Sequence, residues 1–303
     1  MKFGKLPSID LVDFNLSPNP IENEALLSQI PKTDKLPKLY VGCTGWSMKE
    51  WIGTVYPKST KTKDYLKHYS RQFNTIEFNS THYRIPSPEN IKKWRTESLE
   101  DFKFCPKIPQ SISHSLELGN GSDTIKIFCE AIVGLEEKLG CCFMQLPPYF
   151  DKNRIVILEA FLDQFPDNIQ LAVEARHESW FHPGENALFD LLQKYNTSTV
   201  ITDVAGRRDV LHQRLTNGTA MVRFVGNDLH PTDYERADSW IAQLKTWYQQ
   251  GLKKVYFFTH EPDNIQAPEM ADYFVKAAQK ELEVEVRGPS FYDINEGRQI
   301  SLF

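Results

Sequence analysis

The sequence lacks the cysteine patterns that mark disulfide-rich or zinc-binding proteins. Its 303 residues include five cysteines, at positions 43, 105, 129, 141 and 142, and no two of them form a C-x-x-C pair. An odd count without such a pair argues against a disulfide framework and against a zinc ribbon. Buried thiols in a reducing cytosol are predicted instead.

Long apolar runs and a basic charge excess are also absent. The first twenty residues lack the apolar core of a signal peptide, and no segment approaches the ~18–20 apolar residues of a membrane span. The net charge is −5 and the pI about 5.9, which disfavours binding to the phosphate backbone of a nucleic acid. We therefore expect a soluble, cytoplasmic protein without a membrane partner. Nucleic acid is a disfavoured but open partner, and the sequence does not determine the oligomeric state.

The sequence does contain a regular alternation of short apolar runs and helical segments after Leu39. The runs predicted as strands are LYVGCTGW, NTIEFNS, FKFCPKI, CCFMQLP, QLAVEAR, STVITDV, AMVRFVG and KVYFFTH. Strands that are apolar almost throughout favour a parallel sheet covered by helices, and eight such units predict an α/β fold of the (β/α)₈ TIM-barrel type. An open doubly wound sheet is the alternative, but GCTGW does not match the glycine-rich turn expected after its first strand.

Three regions are predicted from this alternation. Residues 1–37, with five prolines and one short helical pattern, form an irregular N-terminal arm. Residues 38–282 form a single barrel domain, and residues 283–303 form a short C-terminal tail.

Polar side chains follow or interrupt almost every predicted strand. In a parallel barrel the carboxyl ends of the strands meet and build the active site, and side chains two positions apart share a face. Such a set predicts a ligand site, although a buried ionic network that only fills the barrel is the structural alternative. The predicted catalytic residues are Glu77, Glu174, Asp203 and His177, and the predicted substrate-binding residues are Trp46, Asn79, Thr81, Tyr83, Lys107, Gln145, Arg176, Trp180 and Arg223.

The residue types at these positions indicate chemistry on an anion. Lys107, Arg176 and Arg223 are suited to hold phosphate or carboxylate oxygens. Glu77 and Glu174 are the candidate general acid and base, because apolar surroundings can raise the pKa of a carboxyl group. The aromatic side chains of the set could stack on a sugar or a base.

Several segments together resemble the YecE-like family, the domain of unknown function numbered 72. They are GCTGWSMKEWIGTVYP, FNTIEFNSTHYRIPSPENIKKW, MQLPP, VEARHESW and MVRFVG, in the family's order between about Leu39 and Met270. The resemblance implies a TIM barrel and assigns no reaction. It extends to the predicted site residues named above and adds Ser80 and Arg84. Val225 replaces a histidine usual in the family, and Thr259 and His260 stand where it has paired asparagines, which puts a transfer of activity at these strands in doubt.

Three functions are consistent with the sequence. The favoured one is a hydrolase- or lyase-type enzyme that acts on an anionic or phosphate-bearing small molecule by carboxylate acid–base chemistry. An endonuclease IV-like phosphodiester hydrolase is an alternative that needs a divalent metal, for which Glu174, Asp203 and His260 are the candidate ligands. A non-catalytic ligand-binding barrel is the third. No cofactor is required by the sequence, and a divalent metal is possible.

Overall fold

Eight parallel strands form the centre of the fold. The computed structural model describes Gly4 and residues 6–292, and within them each of the eight predicted strand segments overlaps a β-strand. The strands are β1 (Lys38–Gly42), β2 (Thr75–Phe78), β3 (Lys103–Pro106), β4 (Cys142–Gln145), β5 (Leu171–Glu174), β6 (Ser198–Asp203), β7 (Thr219–Val225) and β8 (Lys254–His260). Six of them pair in the order β1-β8-β7-β6-β5-β4, and β2 pairs with β3. Every strand pairing among the described residues is parallel.

Hydrogen bonds connect the β2–β3 pair to both edges of the six-stranded sheet. Next to β1, the backbone N–H of Glu77 donates to the carbonyl oxygen of Cys43 at 3.0 Å. Next to β4, the N–H of Ile108 donates to the carbonyl oxygen of Phe143 at 2.8 Å. Gly42 permits the close approach of β1 and β2, because a Cβ atom there would lie 2.1 Å from the carbonyl oxygen of Thr75.

Helices follow most strands and cover the sheet. They are α1 (Ile21–Ser28), α2 (Tyr65–Gln72), α3 (Ser80–Tyr83), α4 (Pro88–Glu97), α5 (Gln110–Ser113), α6 (Thr124–Ile132), α7 (Ile155–Gln164), α8 (Ala187–Lys194), α9 (Pro231–Gln250) and α10 (Ala267–Glu281). The C-cap of α9 is Gly251, whose φ of 118° suits a residue without a side chain. The helical stretch between β3 and β4 is interrupted, since α6 ends at Ile132 and Glu136 has a φ of 53°.

Alternate strand residues form an inward face, on the side of the strands away from the covering helices. Their apolar members form one buried cluster of Tyr40, Cys105, Cys141, Phe143, Ala172, Val200, Met221, Tyr256 and Phe258. Two positions beyond three of these residues come Gln145, Glu174 and Arg223, which therefore share the inward face. All five cysteines are buried and free, as the sequence predicts, and burial raises the pKa of the Cys43 thiol to about 12.

The N-terminal segment is anchored by one helix. Leu27 of α1 is buried in the core between strands and helices, and the Asn23 side chain donates to the carbonyl oxygen of Gln213 at 2.7 Å. Part of the predicted tail, residues 293–303, lies outside the described residues, as do residues 1–3 and 5. No helix in the described ranges is long and apolar enough to cross a membrane.

Candidate functional site

Glu77 lies at the centre of a buried polar cluster at the carboxyl ends of the strands. β2 holds its side chain fully buried. Arg223 of β7 donates from Nε to Oε2 at 2.9 Å and from Nη2 to Oε1 at 3.0 Å, a two-pronged contact. Asn79 donates from Nδ2 to Oε1 at 2.9 Å, and Nε2 of His260 lies 2.8 Å from Oε2. Every described hydrogen bond to this carboxylate therefore comes from a neighbouring nitrogen.

Glu174 of β5 is the second carboxylate of the cluster. Its Oε2 accepts from Nη1 of Arg223 and from Nε2 of Gln145, both at 2.8 Å. Its Oε1 accepts from Nε of Arg176 at 2.7 Å. The Gln145 amide oxygen in turn accepts from Nζ of Lys107 at 2.9 Å. Arg223 thus joins the two carboxylates, and Gln145 relays the network to Lys107.

Both carboxylates are held ionised. Burial by itself raises the pKa of Glu77, but the charges of Arg223 and His260 outweigh it and hold the pKa well below its usual value. Burial acts in the same way on Glu174, and Arg176 and Arg223 lower its pKa to about 2. The expectation that apolar surroundings raise the pKa of these two carboxyl groups is therefore wrong. Each carboxylate faces a guanidinium group, and the sequence pattern could not place that contact.

Lys107 is the buried cation of the cluster without a carboxylate partner. It is 8% exposed, and in the described part of the chain its ammonium group hydrogen-bonds to the neutral amide of Gln145 and forms no ion pair. Burial lowers its pKa, the charge of Arg223 lowers it further, and Glu77 and Glu174 offset part of the effect to leave it at about 8. Lys107, Arg176 and Arg223 face two carboxylates, which leaves the cluster with a surplus positive charge even before His260 is counted.

Asp203 belongs to a different network. Ile201, two positions earlier on β6, packs in the core between strands and helices, so Asp203 points the same way. Its carboxylate pairs with Arg208 and with Arg236, whose Nη2 lies 3.0 Å away, and accepts from Nε1 of Trp240 at 2.8 Å. Glu77, Gln145, Glu174 and Arg223 converge in one cluster, as expected of residues at the carboxyl ends of the strands. Asp203 instead faces the outer side of β6.

The segment after Phe78 is helical, not extended. α3 begins at Ser80, so Asn79 and Thr81 do not continue the inward face of β2 as a strand would. Asn79 still contacts Glu77, whereas the Thr81 hydroxyl donates to the carbonyl oxygens of Phe78 and Lys107 at 3.0 and 2.7 Å. Tyr83 is 81% exposed.

Two predicted aromatic residues pack away from the cluster. The Trp46 ring stacks on Phe78 at 5.1 Å and so covers the outer face of β2. Trp180 is fully buried in the core beside α7, and its Nε1 donates to the carbonyl oxygen of Phe150 at 2.8 Å.

His177 has a local structural contact. Its Nδ1 accepts from the backbone N–H of Ser179 at 3.2 Å and so caps the short 3₁₀ helix Glu178–Trp180. Within the described residues the His177 ring hydrogen-bonds to Ser179 and to neither of the two carboxylates.

Two further histidines lie beside the cluster and were not among the predicted site residues. His82 of α3 and His114, directly after α5, have ring centroids 5.5 Å apart. Both line a groove of about 530 Å³ at the carboxyl ends of β2 and β3. A histidine after each of two neighbouring strands was the available sequence signal, but only the short helices bring the rings together.

The proposed metal ligands do not assemble. The oxygens of Glu174 accept from cationic and amide groups, Asp203 lies in the outer network, and His260 contacts Glu77. Among the described residues, no three His, Cys, Asp or Glu side chains are arranged to hold a metal ion. The donor set therefore does not fit the divalent-metal alternative.

Comparison with known proteins relates the chain to one family. The family model described as "Protein of unknown function DUF72" matches residues 40–293. The UPF0759 protein YecE of Escherichia coli K12 is 31% identical over 252 residues, covering 77% of this chain and 89% of that protein. The UPF0759 protein YunF of Bacillus subtilis 168 is 29% identical over 153 residues, covering 48% and 53%.

A solved structure has a similar fold. The crystal structure of a DUF72 family protein from Enterococcus faecalis V583 superposes with a TM-score of 0.62 at 20% identity. The match covers 84% of this chain and all of that one. At this identity the likeness establishes a shared α/β fold.

Proposed function

This chain belongs to the DUF72 family, and we propose that it is an enzyme acting on a polar small molecule that carries a phosphate or carboxylate group. The observation that carries the proposal is Lys107, a buried ammonium group that faces an amide where a carboxylate would neutralise it. An anion that binds beside Lys107 and Arg176 would compensate the surplus charge of the cluster.

The proposed acid–base group is Lys107. Its pKa of about 8 lies close to neutral pH, where a group exchanges protons most usefully, whereas Glu77 and Glu174 stay ionised. The two carboxylates would instead hold Arg223 and orient the Gln145 amide towards Lys107. Proton transfer next to a bound anion is chemistry that hydrolases and lyases both use.

The architecture that we propose for the protein is a closed (β/α)₈ barrel over residues 38–282, with an arm before it and a tail after it. Closure is supported by the hydrogen bonds from β1 to β2 and from β3 to β4. A cytoplasmic location is part of the same proposal, supported by five buried thiols that form no disulfide.

A non-catalytic ligand-binding barrel is the second candidate. It is favoured by Arg223, because all three nitrogens of its guanidinium group already donate hydrogen bonds to Glu77 and Glu174. Both candidate functions use the same anion site, but only the enzyme converts the bound ligand into a product. Product formation from a phosphorylated ligand that binds at Lys107, followed by ³¹P NMR, distinguishes them.

The anion site is tested by calorimetric titration with sulfate and inorganic phosphate. The wild type should bind both, and Lys107→Met should weaken binding at least about tenfold because a charged hydrogen bond is lost. Lys126→Met is the matched control, since Lys126 pairs with Glu130 on an exposed face of α6. Equal affinities in the wild type and Lys107→Met, or no binding to the wild type, would contradict the proposal.

A further inference from the structure

We propose that the groove between α3 and α5 binds the hydroxyl-bearing part of the substrate, with His82 and His114 as hydrogen-bond acceptors for its hydroxyl groups. The inference rests on the proposed function, because it takes the anionic part of the same molecule to lie at Lys107. The substrate class is then a hydroxylated phosphate or carboxylate, such as a phosphorylated polyol.

The hydrogen bonds on Nδ1 fix which nitrogen of each ring is left as an acceptor. Nδ1 of His82 lies 2.9 Å from the carbonyl oxygen of Ile108, which only accepts, so Nδ1 carries the proton. Nδ1 of His114 lies 3.0 Å from the Ser113 hydroxyl, whose own proton goes to the carbonyl oxygen of Pro109 at 3.2 Å. Nδ1 of His114 therefore donates as well, and Nε2 of each neutral ring is left as an acceptor.

The surroundings keep both rings neutral. Burial lowers the pKa of His82, and Lys107, His114 and Arg176 lower it further against the opposing Ile108 hydrogen bond. Burial, Lys107 and Arg176 likewise lower the pKa of His114. The side chain of Arg84 also lines the groove. Each neutral imidazole has one nitrogen that accepts a hydrogen bond, so the matching groups of a ligand in the groove are hydrogen-bond donors. In uncharged polar metabolites these donors are hydroxyl groups.

The groove has the dimensions and position for this role. Its volume of about 530 Å³ falls within the usual range for small-molecule sites. It lies near Lys107, since His82 bonds to the backbone carbonyl oxygen of the next residue, Ile108, and the charge of Lys107 acts on both imidazole rings. The exposed ring of Tyr83 lines the same groove and offers a face on which the C–H groups of a polyol can pack.

A matched pair of probes separates the hydroxyl contacts from the anion contacts. Glycerol 3-phosphate and propyl phosphate share a phosphate and a three-carbon chain, and only the first carries hydroxyl groups. Calorimetry should show that the wild type binds glycerol 3-phosphate about fivefold more tightly, the worth of one net hydrogen bond. His82→Phe and His114→Phe should each reduce this ratio towards one and leave propyl phosphate affinity unchanged. His182→Phe, at an exposed position outside the groove, should keep it.

The outcomes separate this inference from the proposed function. Equal affinity of the wild type for the two probes, or an unchanged ratio in both variants, overturns the hydroxyl subsite and leaves the anion site standing. Failure of the wild type to bind either probe overturns the anion site and the subsite together. Long-range ¹⁵N NMR of the unliganded wild type gives a second readout: a proton on Nε2 of His82 and His114 near neutral pH would also overturn the inference.

Discussion

Replacing Glu77 with glutamine removes one charge from the buried cluster and keeps the size of the side chain. The new amide group faces nitrogens that donate, since Arg223 and Asn79 both approach as donors. His260 can accept from the amide by moving its ring proton, but it satisfies only one of the two new N–H groups. Arg223 then keeps Glu174 as its single charged partner.

The expected loss of stability follows from breaking a buried ion pair on one side. Removing one partner of such a pair costs about 3–5 kcal/mol, because the charge that stays buried loses a counter-ion, here one of the two carboxylates that pair with Arg223. Unfolding entropy is about 2.1 cal/mol/K per residue, which gives about 0.6 kcal/mol/K for 303 residues. Glu77→Gln should therefore lower Tm by about 5–8 °C.

Differential scanning calorimetry of the wild type and Glu77→Gln at neutral pH measures this shift. Glu159→Gln is the control, because Glu159 pairs with Lys194 at an exposed site and its loss should leave Tm unchanged. Sulfate affinity per folded Glu77→Gln molecule should not fall, since the cluster gains positive charge. A Tm decrease no larger than that of the control would refute the argument that Glu77 holds Arg223 in place.

Three more outcomes test the rest of the network. Sulfate affinity should fall as the pH rises through about 8, where Lys107 loses its proton, and Lys107→Met should abolish this dependence in calorimetric titrations. Asp203→Asn should cost about 3–5 kcal/mol in urea unfolding without changing sulfate affinity, because its partners Arg208 and Arg236 belong to the outer network. Glu174 has a pKa of about 2 in the fold against a reference of 4.5, so its stabilisation is fully present above 4.5 and is lost as the pH falls towards 2. Glu174→Gln should flatten that acid-side loss, measured by urea unfolding across a pH series.

The sequence by itself determined where the strands lie and which residues of one strand share a face. Strand preference and alternation are local properties, so Phe143 and Gln145 of β4, and likewise Met221 and Arg223 of β7, could be placed on a shared face from spacing alone. The same locality explains the α9 cap at Gly251, where one residue sets one backbone angle.

Only the tertiary structure decided which charges meet and in what state. Arg223 lies 146 positions from Glu77 and 49 positions from Glu174 in the sequence, yet the packing of separate strands brings it within hydrogen-bond distance of both carboxylates. This proximity reverses the expected direction of both carboxyl pKa shifts. The one-residue step from Thr202 to Asp203 turned a predicted catalytic group towards α9. A pKa depends on the charges a few ångströms away, and sequence spacing gives their chemical types but not their separations across the fold.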